Sequence, residues 1–297
     1  MAKYLIKDLE ALSGIKAHTI RIWEQRYGIL RPLRTETNIR QYNDDELRLL
    51  LNISFLNRNG FKISRLTQMS VAEMEEKVKN ISYTDFEYHN QMDALVLAMV
   101  QMNEFKFEKI VNLNIVELGF EITFERILFP LMRKIGVMWQ INTVNPSHEH
   151  FISNLIRQKL ISAIDRTDPV HQAVSKALLF LPEGELHELS LLYLHFILKK
   201  RSVHVLYLGQ NVPIEDLVRS CSLFKPNFMF GIFTSSPYEE KIPSYLSKLS
   251  KAFPKCKIYL SGFRMVYYKK NLPANIKIFK EISEIKDFHY KAEDSAL

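Results

Sequence analysis

Only two cysteines occur in 297 residues, Cys221 and Cys256. Two thiols exclude a disulfide scaffold and a cysteine-rich metal centre, and they fit a reducing cytoplasm. Both read as buried small residues. No apolar run approaches the roughly 18 residues that a membrane span needs. The opening Met1-Ala2-Lys3-Tyr4-Leu5 has too short an apolar stretch for a signal peptide. Paired catalytic carboxylates and a nucleophile constellation are also missing, which speaks against an enzyme. What remains is a chain with 47% hydrophobic and 25% charged residues and a net charge of +7. Its length suits two or three domains.

Positive charge is concentrated near the start. Residues 16 to 40 hold Lys16, Arg21, Arg26, Arg31, Arg34 and Arg40 against Glu24 and Glu36. Such a local excess is suited to phosphate. Ile6, Leu9 and Leu12 are spaced for one buried helical face, and Ser13-Gly14-Ile15 breaks it. A second helix is expected over 17–27, with Ile20, Trp23 and Tyr27 packing and Thr19, Arg21 and Arg26 turned away. Gly28 and Pro32 end it. Arg31 to Tyr42 reads as a basic wing. Asn43, with Glu46 three residues on, caps a helix to about Arg58 whose core side is Leu47, Leu50, Leu51, Ile53, Ser54 and Phe55. A short helix is expected over 61–66.

Two short helices joined by a glycine turn are the substance of a helix-turn-helix. The run Thr19-Ile20-Arg21-Ile22-Trp23-Glu24-Gln25-Arg26-Tyr27-Gly28, with Arg34-Thr35, Arg40-Gln41-Tyr42 and Asn59-Gly60-Phe61, resembles the MerR family. That resemblance implies a winged helix-turn-helix over 1–80 that binds duplex DNA. Thr19, Arg21 and Arg26 would lie in the major groove, Arg34 and Arg40 would reach the flanking backbone, and Tyr42 would fix the wing. Glu36-Thr37-Asn38-Ile39 stands where the family has a glycine-rich wing tip.

After a link at 81–84, apolar residues three and four apart predict helices at about 85–101, 104–118, 121–138 and 147–166, a four-helix bundle. Bundle and link together cover 81–168. Residues 169–297 then alternate apolar strands with helices. Strands are expected at 177–181, 204–208, 228–233, 257–260 and 276–279. Helices are expected at 188–200, 214–221 and 238–251. This pattern implies a parallel sheet covered on both faces, with ligands gathering beyond the carboxyl ends of the strands. His187 falls there, two residues after Glu185, an arrangement able to ligate a metal.

Two further runs sharpen this. Trp139, followed after nine residues by Glu149-His150 and preceded by Gly136, resembles the cap of adenosylcobalamin-dependent light-sensing repressors. Gly184-Glu185-Leu186-His187-Glu188-Leu189-Ser190 resembles the histidine motif of cobalamin-binding domains. The resemblance implies a flavodoxin-like, doubly wound α/β domain. In it His187 would be the lower cobalt ligand, with Glu185 orienting it. Ser235, Ser236 and Gly262 would lie against the nucleotide tail, and Trp139, Glu149 and His150 would face the adenosyl group. Three residues depart from the pattern. Ser190 and Ser261 replace glycines, which narrows the tail cavity. Gln140 stands where the photoreceptors have a second histidine, and His148 is a nearby imidazole. Tyr267, Tyr268, Lys269 and Lys270 read as a solvated face.

The expected protein is thus a multidomain, nucleoid-associated cytoplasmic regulator controlled by adenosylcobalamin. It would work as a dimer or tetramer on a two-fold symmetric operator, with RNA polymerase a further candidate partner. The alternatives are a cofactor-free regulator that keeps the fold for protein contacts, and a corrinoid-dependent methyl carrier or enzyme.

Overall fold

Local sequence rules build the first elements directly. In the computed structural model, which describes residues 4–80, 88–140, 145–168, 173, 175–234, 242–268, 270–280 and 284–285, α1 (Ile6–Ser13) ends at Gly14, whose φ of 70° gives the left-handed turn. Helix α2 (Ala17–Tyr27) follows and ends at Gly28, φ 62°. The wing is a two-stranded antiparallel ribbon, β1 (Leu33–Arg34) and β2 (Arg40–Gln41). Asn38 takes φ 60° at its tip. Asparagine tolerates that conformation, so the glycine-free tip still turns.

Helix α3 (Asp44–Arg58) starts with the reciprocal cap expected from its sequence. Glu46 N–H donates to Asn43 Oδ1 at 2.9 Å, and Asn43 N–H donates to Glu46 Oε2 at 2.9 Å. All six residues expected on its core side are buried, as are Asn52 and Leu56. Helix α4 (Ile63–Leu66) is shorter than expected, and α5 (Val71–Asn80) lies where no helix was expected. The packing stripe of α2 is narrower than its sequence suggests. Ile20 is fully buried, while Trp23 and Tyr27 are only half-buried.

The chain divides into two compact units, 1–155 and 156–297. The first also holds α6 (Tyr88–Val100), α7 (Glu104–Leu118), α8 (Phe120–Thr123) and α9 (Phe129–Gln140). The single helix expected over 121–138 is interrupted by a π-helical turn, Phe124–Leu128. The cause lies at Pro130, which has no N–H to continue the ladder. Just before it, Phe129 N–H reaches back five residues to Phe124 O, which widens the turn. The predicted link at 81–84 lies outside the described residues. Helix α10 (Pro146–Arg166) closes the helical region.

The second unit is built on a five-stranded parallel sheet. Its strands are β3 (Ser175–Pro182), β4 (Val203–Val212), β5 (Phe228–Ile232), β6 (Lys257–Ser261) and β7 (Ile276–Ile278), in the spatial order β4-β3-β5-β6-β7. Alternate residues of β3 enter opposite cores. Leu178 and Phe180 join Met229, Ile258 and Leu260 on one face, and Ala177, Leu179 and Leu181 join Phe228, Phe230 and Ile232 on the other. Helices α11 (Leu189–Lys200), α12 (Ile214–Phe224) and α13 (Ile242–Ala252) connect the strands, and a short turn α14 (Phe263–Val266) follows β6. This is the flavodoxin-like order, with the switch point at β3. Among the described residues no helix is long and apolar enough to cross a membrane. Both cysteines are half-buried rather than buried. Burial raises the Cys221 thiol to about 11, so it stays protonated and unreactive at neutral pH.

Candidate functional site

The DNA-facing candidates lie on α2 and the wing. His18, Arg21, Ile22, Gln25 and Arg26 are exposed and spaced three or four apart, so they share one face of α2. Sequence reading selected Arg21 and Arg26 but passed over His18, Ile22 and Gln25. The signal was available, since each of these falls off the Ile20 stripe. Ile22 is 50% exposed, an apolar surface of the kind that meets thymine methyl groups. Gln25 has the paired donor and acceptor that match adenine. Thr19 is half-buried, with its hydroxyl 3.3 Å from His18 Nε2.

The wing is braced by one carboxylate. Arg40 Nε donates to Glu24 Oε1 at 3.0 Å, and Tyr42 Oη donates to Glu24 Oε2 at 3.1 Å. Tyr42 is 1% exposed, so it acts on the wing from inside. Arg40 is half-buried and Arg34 exposed, and Arg34 donates to Asn38 Oδ1 at 2.7 Å across the wing tip. Glu46 adds a second brace, because its Oε1 accepts from Arg31 N–H at 2.8 Å.

The second candidate site lies beyond the carboxyl ends of β3, β4 and β5. Gly184 turns the chain at φ 81°. Glu185 follows and is wholly buried. Its Oε1 accepts from the backbone N–H of Leu186 and of His187, each at 3.1 Å, and lies 2.6 Å from His187 Nδ1. Its Oε2 accepts from Thr234 N–H at 2.7 Å, beyond the end of β5. A carboxylate that accepts from backbone donors accepts from Nδ1–H as well. That tautomer puts the imidazole lone pair on Nε2. The His187 side chain is 59% exposed.

The end of β4 grips the same loop from the other side. Gly184 N–H donates to Asn211 Oδ1 at 2.8 Å, and Gln210 Nε2 donates to Leu186 O at 2.7 Å. Glu188, next to His187, accepts from Tyr207 Oη at 3.0 Å and pairs with Arg157 of α10. The histidine loop is therefore held by three strands and a helix. A donor nitrogen so oriented by a buried carboxylate could hold a metal ion such as cobalt.

Gly262 sits at φ 96°, and a Cβ there would lie 2.3 Å from Phe233 O. Its lack of a side chain is required by this backbone approach, whatever ligand lies nearby. Ser261 is buried at the end of β6, and its carbonyl accepts from Phe233 N–H at 2.8 Å. Ser190 is half-buried in the first turn of α11. Among the cap candidates, Glu149 Oε2 lies 3.0 Å from His150 Nδ1 near the start of α10. Trp139 and Gln140 belong to α9, and their side chains lie outside the description, as do Ser235 and Ser236. His148 is half-buried. Burial lowers its imidazole, while Asp44 and Arg48 pull in opposite directions.

Comparison with known proteins matches the DNA-facing region and the helical region that contains Trp139, Glu149 and His150. Residues 4–71 match the MerR HTH family of regulatory proteins, and residues 91–162 match the B12 binding domain. The chain thus carries a segment similar to MerR-type helix-turn-helix regulators and a segment similar to B12 binding domains. Over 258 residues it is 28% identical to the HTH-type transcriptional repressor CarH of Myxococcus xanthus, spanning 85% of this chain and 86% of that protein. It is 27% identical to the repressor CarA of the same organism over 259 residues, 86% and 85% of the two chains. It is homologous to both, and both are transcriptional repressors rather than enzymes. The monomethylamine corrinoid protein of Methanosarcina barkeri covers 66% of this chain and 93% of its own, with a TM-score of 0.52 at 15% identity, a likeness of fold alone.

Proposed function

We propose that the protein is a DNA-binding transcription regulator whose hold on its operator is set by adenosylcobalamin. The observation that carries this reading is the pinned pair Glu185–His187 at the switch point of the sheet. His187 Nε2 is the proposed cobalt ligand, and Glu185 orients it and raises its basicity. Trp139, Glu149 and His150 are assigned to the adenosyl group, and Ser235, Ser236 and Gly262 to the nucleotide tail. The cofactor supplies a cobalt–carbon bond that light can break, which would make the regulator light-responsive. Gln140 stands where the photoreceptors have a second histidine and offers no imidazole, so any response to light would be weaker or absent.

In this reading residues 1–80 bind DNA, 81–168 cap the cofactor and 169–297 hold it. His18, Arg21, Ile22, Gln25 and Arg26 read the major groove, with Thr19 beside them. Arg34 and Arg40 approach the backbone, and Tyr42 sets the wing. A homo-oligomer, dimer or tetramer, would match a two-fold operator. It would act in the cytoplasm at the nucleoid, with RNA polymerase a further partner.

A cofactor-free regulator is the second reading, favoured by Ser261, whose side chain is buried where the family has glycine. Purified protein mixed with adenosylcobalamin in darkness and then desalted separates the two. Retention near one cofactor per chain supports the first, and loss of that retention in His187→Ala supports the ligand assignment. No retention by wild-type protein at high cofactor concentration leaves the cofactor-free regulator.

A further inference from the structure

Arg58 lies at the end of α3, inside the segment that matches the MerR family. Its Nη2 donates to Ser13 O at 3.0 Å. Ser13 is the last residue of α1, and its carbonyl also accepts from Ser54 Oγ at 2.8 Å. Gly14 and α2 follow at once. The other terminal nitrogen of Arg58 pairs with Asp93 of α6, and Lys134 Nζ of α9 lies 3.4 Å from the same carboxylate. Asp93 and Lys134 both lie inside the segment that matches the B12 binding domain. Trp139 stands five residues beyond Lys134 on α9.

Three features set this cluster apart from an ordinary surface pair. It is largely sheltered, with side-chain exposures of 35% for Arg58, 14% for Asp93 and 29% for Lys134. Electrostatic coupling is stronger there than in open solvent. Two cations share one carboxylate, so a change at either cation alters the hold of Asp93 on the other. Finally, Arg58 also braces the helix-turn-helix turn. A Cβ on Gly14 would lie 2.3 Å from its Nη2, so guanidinium and turn are in close contact.

We propose that Arg58, Asp93 and Lys134 form an ionic joint that passes the position of α9 to the turn preceding α2. They are positioning residues, acting on DNA recognition through Ser13 and Gly14. The proposal rests on α2 as the DNA-reading helix, but not on whether the cofactor binds. A shift of α9 changes how strongly Lys134 competes for Asp93. That changes how firmly Arg58 is drawn away from, or left upon, the Ser13 carbonyl.

A double-mutant cycle in cofactor-free, full-length protein tests this. Wild type, Lys134→Met, Asp93→Asn and the double variant are compared for affinity to a fluorescent duplex of the protein's own promoter region. The same four are compared for amide hydrogen exchange over residues 13–20. Lys134→Met is expected to change affinity at least about threefold in the wild-type background and negligibly in the Asp93→Asn background. Exchange over 13–20 should follow the same pattern, while the core of α3 stays protected. An equal effect of Lys134→Met in both backgrounds, or no effect on exchange over 13–20, overturns the joint. Faster exchange throughout the head overturns it as well, since that is loss of stability alone. If no variant binds the duplex but exchange over 13–20 is coupled, the DNA reading fails and the joint stands.

Discussion

Glu185 is wholly buried and lies 2.6 Å from Nδ1 of His187, whose own side chain is mostly exposed. The buried member therefore holds the exposed one. Glu185→Gln keeps the volume but removes the charge that accepts from three N–H groups at one oxygen and a fourth at the other. Cobalamin affinity, followed by absorbance titration, should fall about 10- to 100-fold, the usual effect of losing a partner behind a metal ligand. An unchanged affinity would remove Glu185 from the site.

The two glycines that matter most should behave differently. At Gly262 an added Cβ meets the Phe233 backbone, whereas at Gly14 it meets the movable end of Arg58. Gly262→Ala should cost about 3 kcal/mol or more, and Gly14→Ala about 1 kcal/mol, in urea unfolding followed by circular dichroism. Equal costs would contradict this reading of the β6 turn.

Glu24 gives an electrostatic test with an unexpected sign. Replacing it with alanine removes a negative charge from the DNA-facing region, which by charge alone should tighten binding. It also releases Arg40 and Tyr42 from their shared brace. Glu24→Ala should weaken operator binding about tenfold or more in a salt titration, the loss of about one charge-assisted hydrogen bond. Tighter binding would show that the brace does not govern the wing.

His195 stacks on Tyr207 with ring centroids 5.3 Å apart. Burial, reinforced by Lys199, lowers its imidazole to about 4. The unfolded chain therefore takes up this proton first as pH falls. Stability from the neutral ring is fully present above about pH 6.5 and is lost progressively toward pH 4. Urea midpoints at pH 7.5 and 5.0 should drop more for wild type than for His195→Gln. Parallel drops would show that His195 is not protonated on unfolding.

Much of this was legible in the sequence because local rules dominate where they apply. Asn43 and Glu46 announced the start of α3, Gly14 and Gly28 the ends of α1 and α2, and alternating apolar runs the five strands. The elements that escaped depend on context. Helix α5 carries few large apolar residues, of which Met74 and Val78 are buried, and it forms against α3. The π-helical turn follows from one proline whose effect falls on the residues before it. In the site, the motif pointed to His187 and Glu185, but not to Thr234, Gln210 or Asn211. Those three act through backbone groups and amide side chains brought together by strand order, which no spacing in one strand reveals. The charge of Arg40 is visible in the sequence, but its partner Glu24, sixteen residues away, is not.

The central claim is that cobalamin at His187 governs DNA binding, and one titration tests it most directly. Full-length wild type and His187→Ala are titrated in darkness onto a fluorescent duplex of the protein's own promoter region, each with and without adenosylcobalamin at fixed salt. Wild-type affinity should change at least about tenfold with the cofactor, a coupling of ordinary size for an effector. His187→Ala should bind the duplex but show no such change. Identical wild-type curves with and without adenosylcobalamin, or an undiminished response in His187→Ala, would contradict the account.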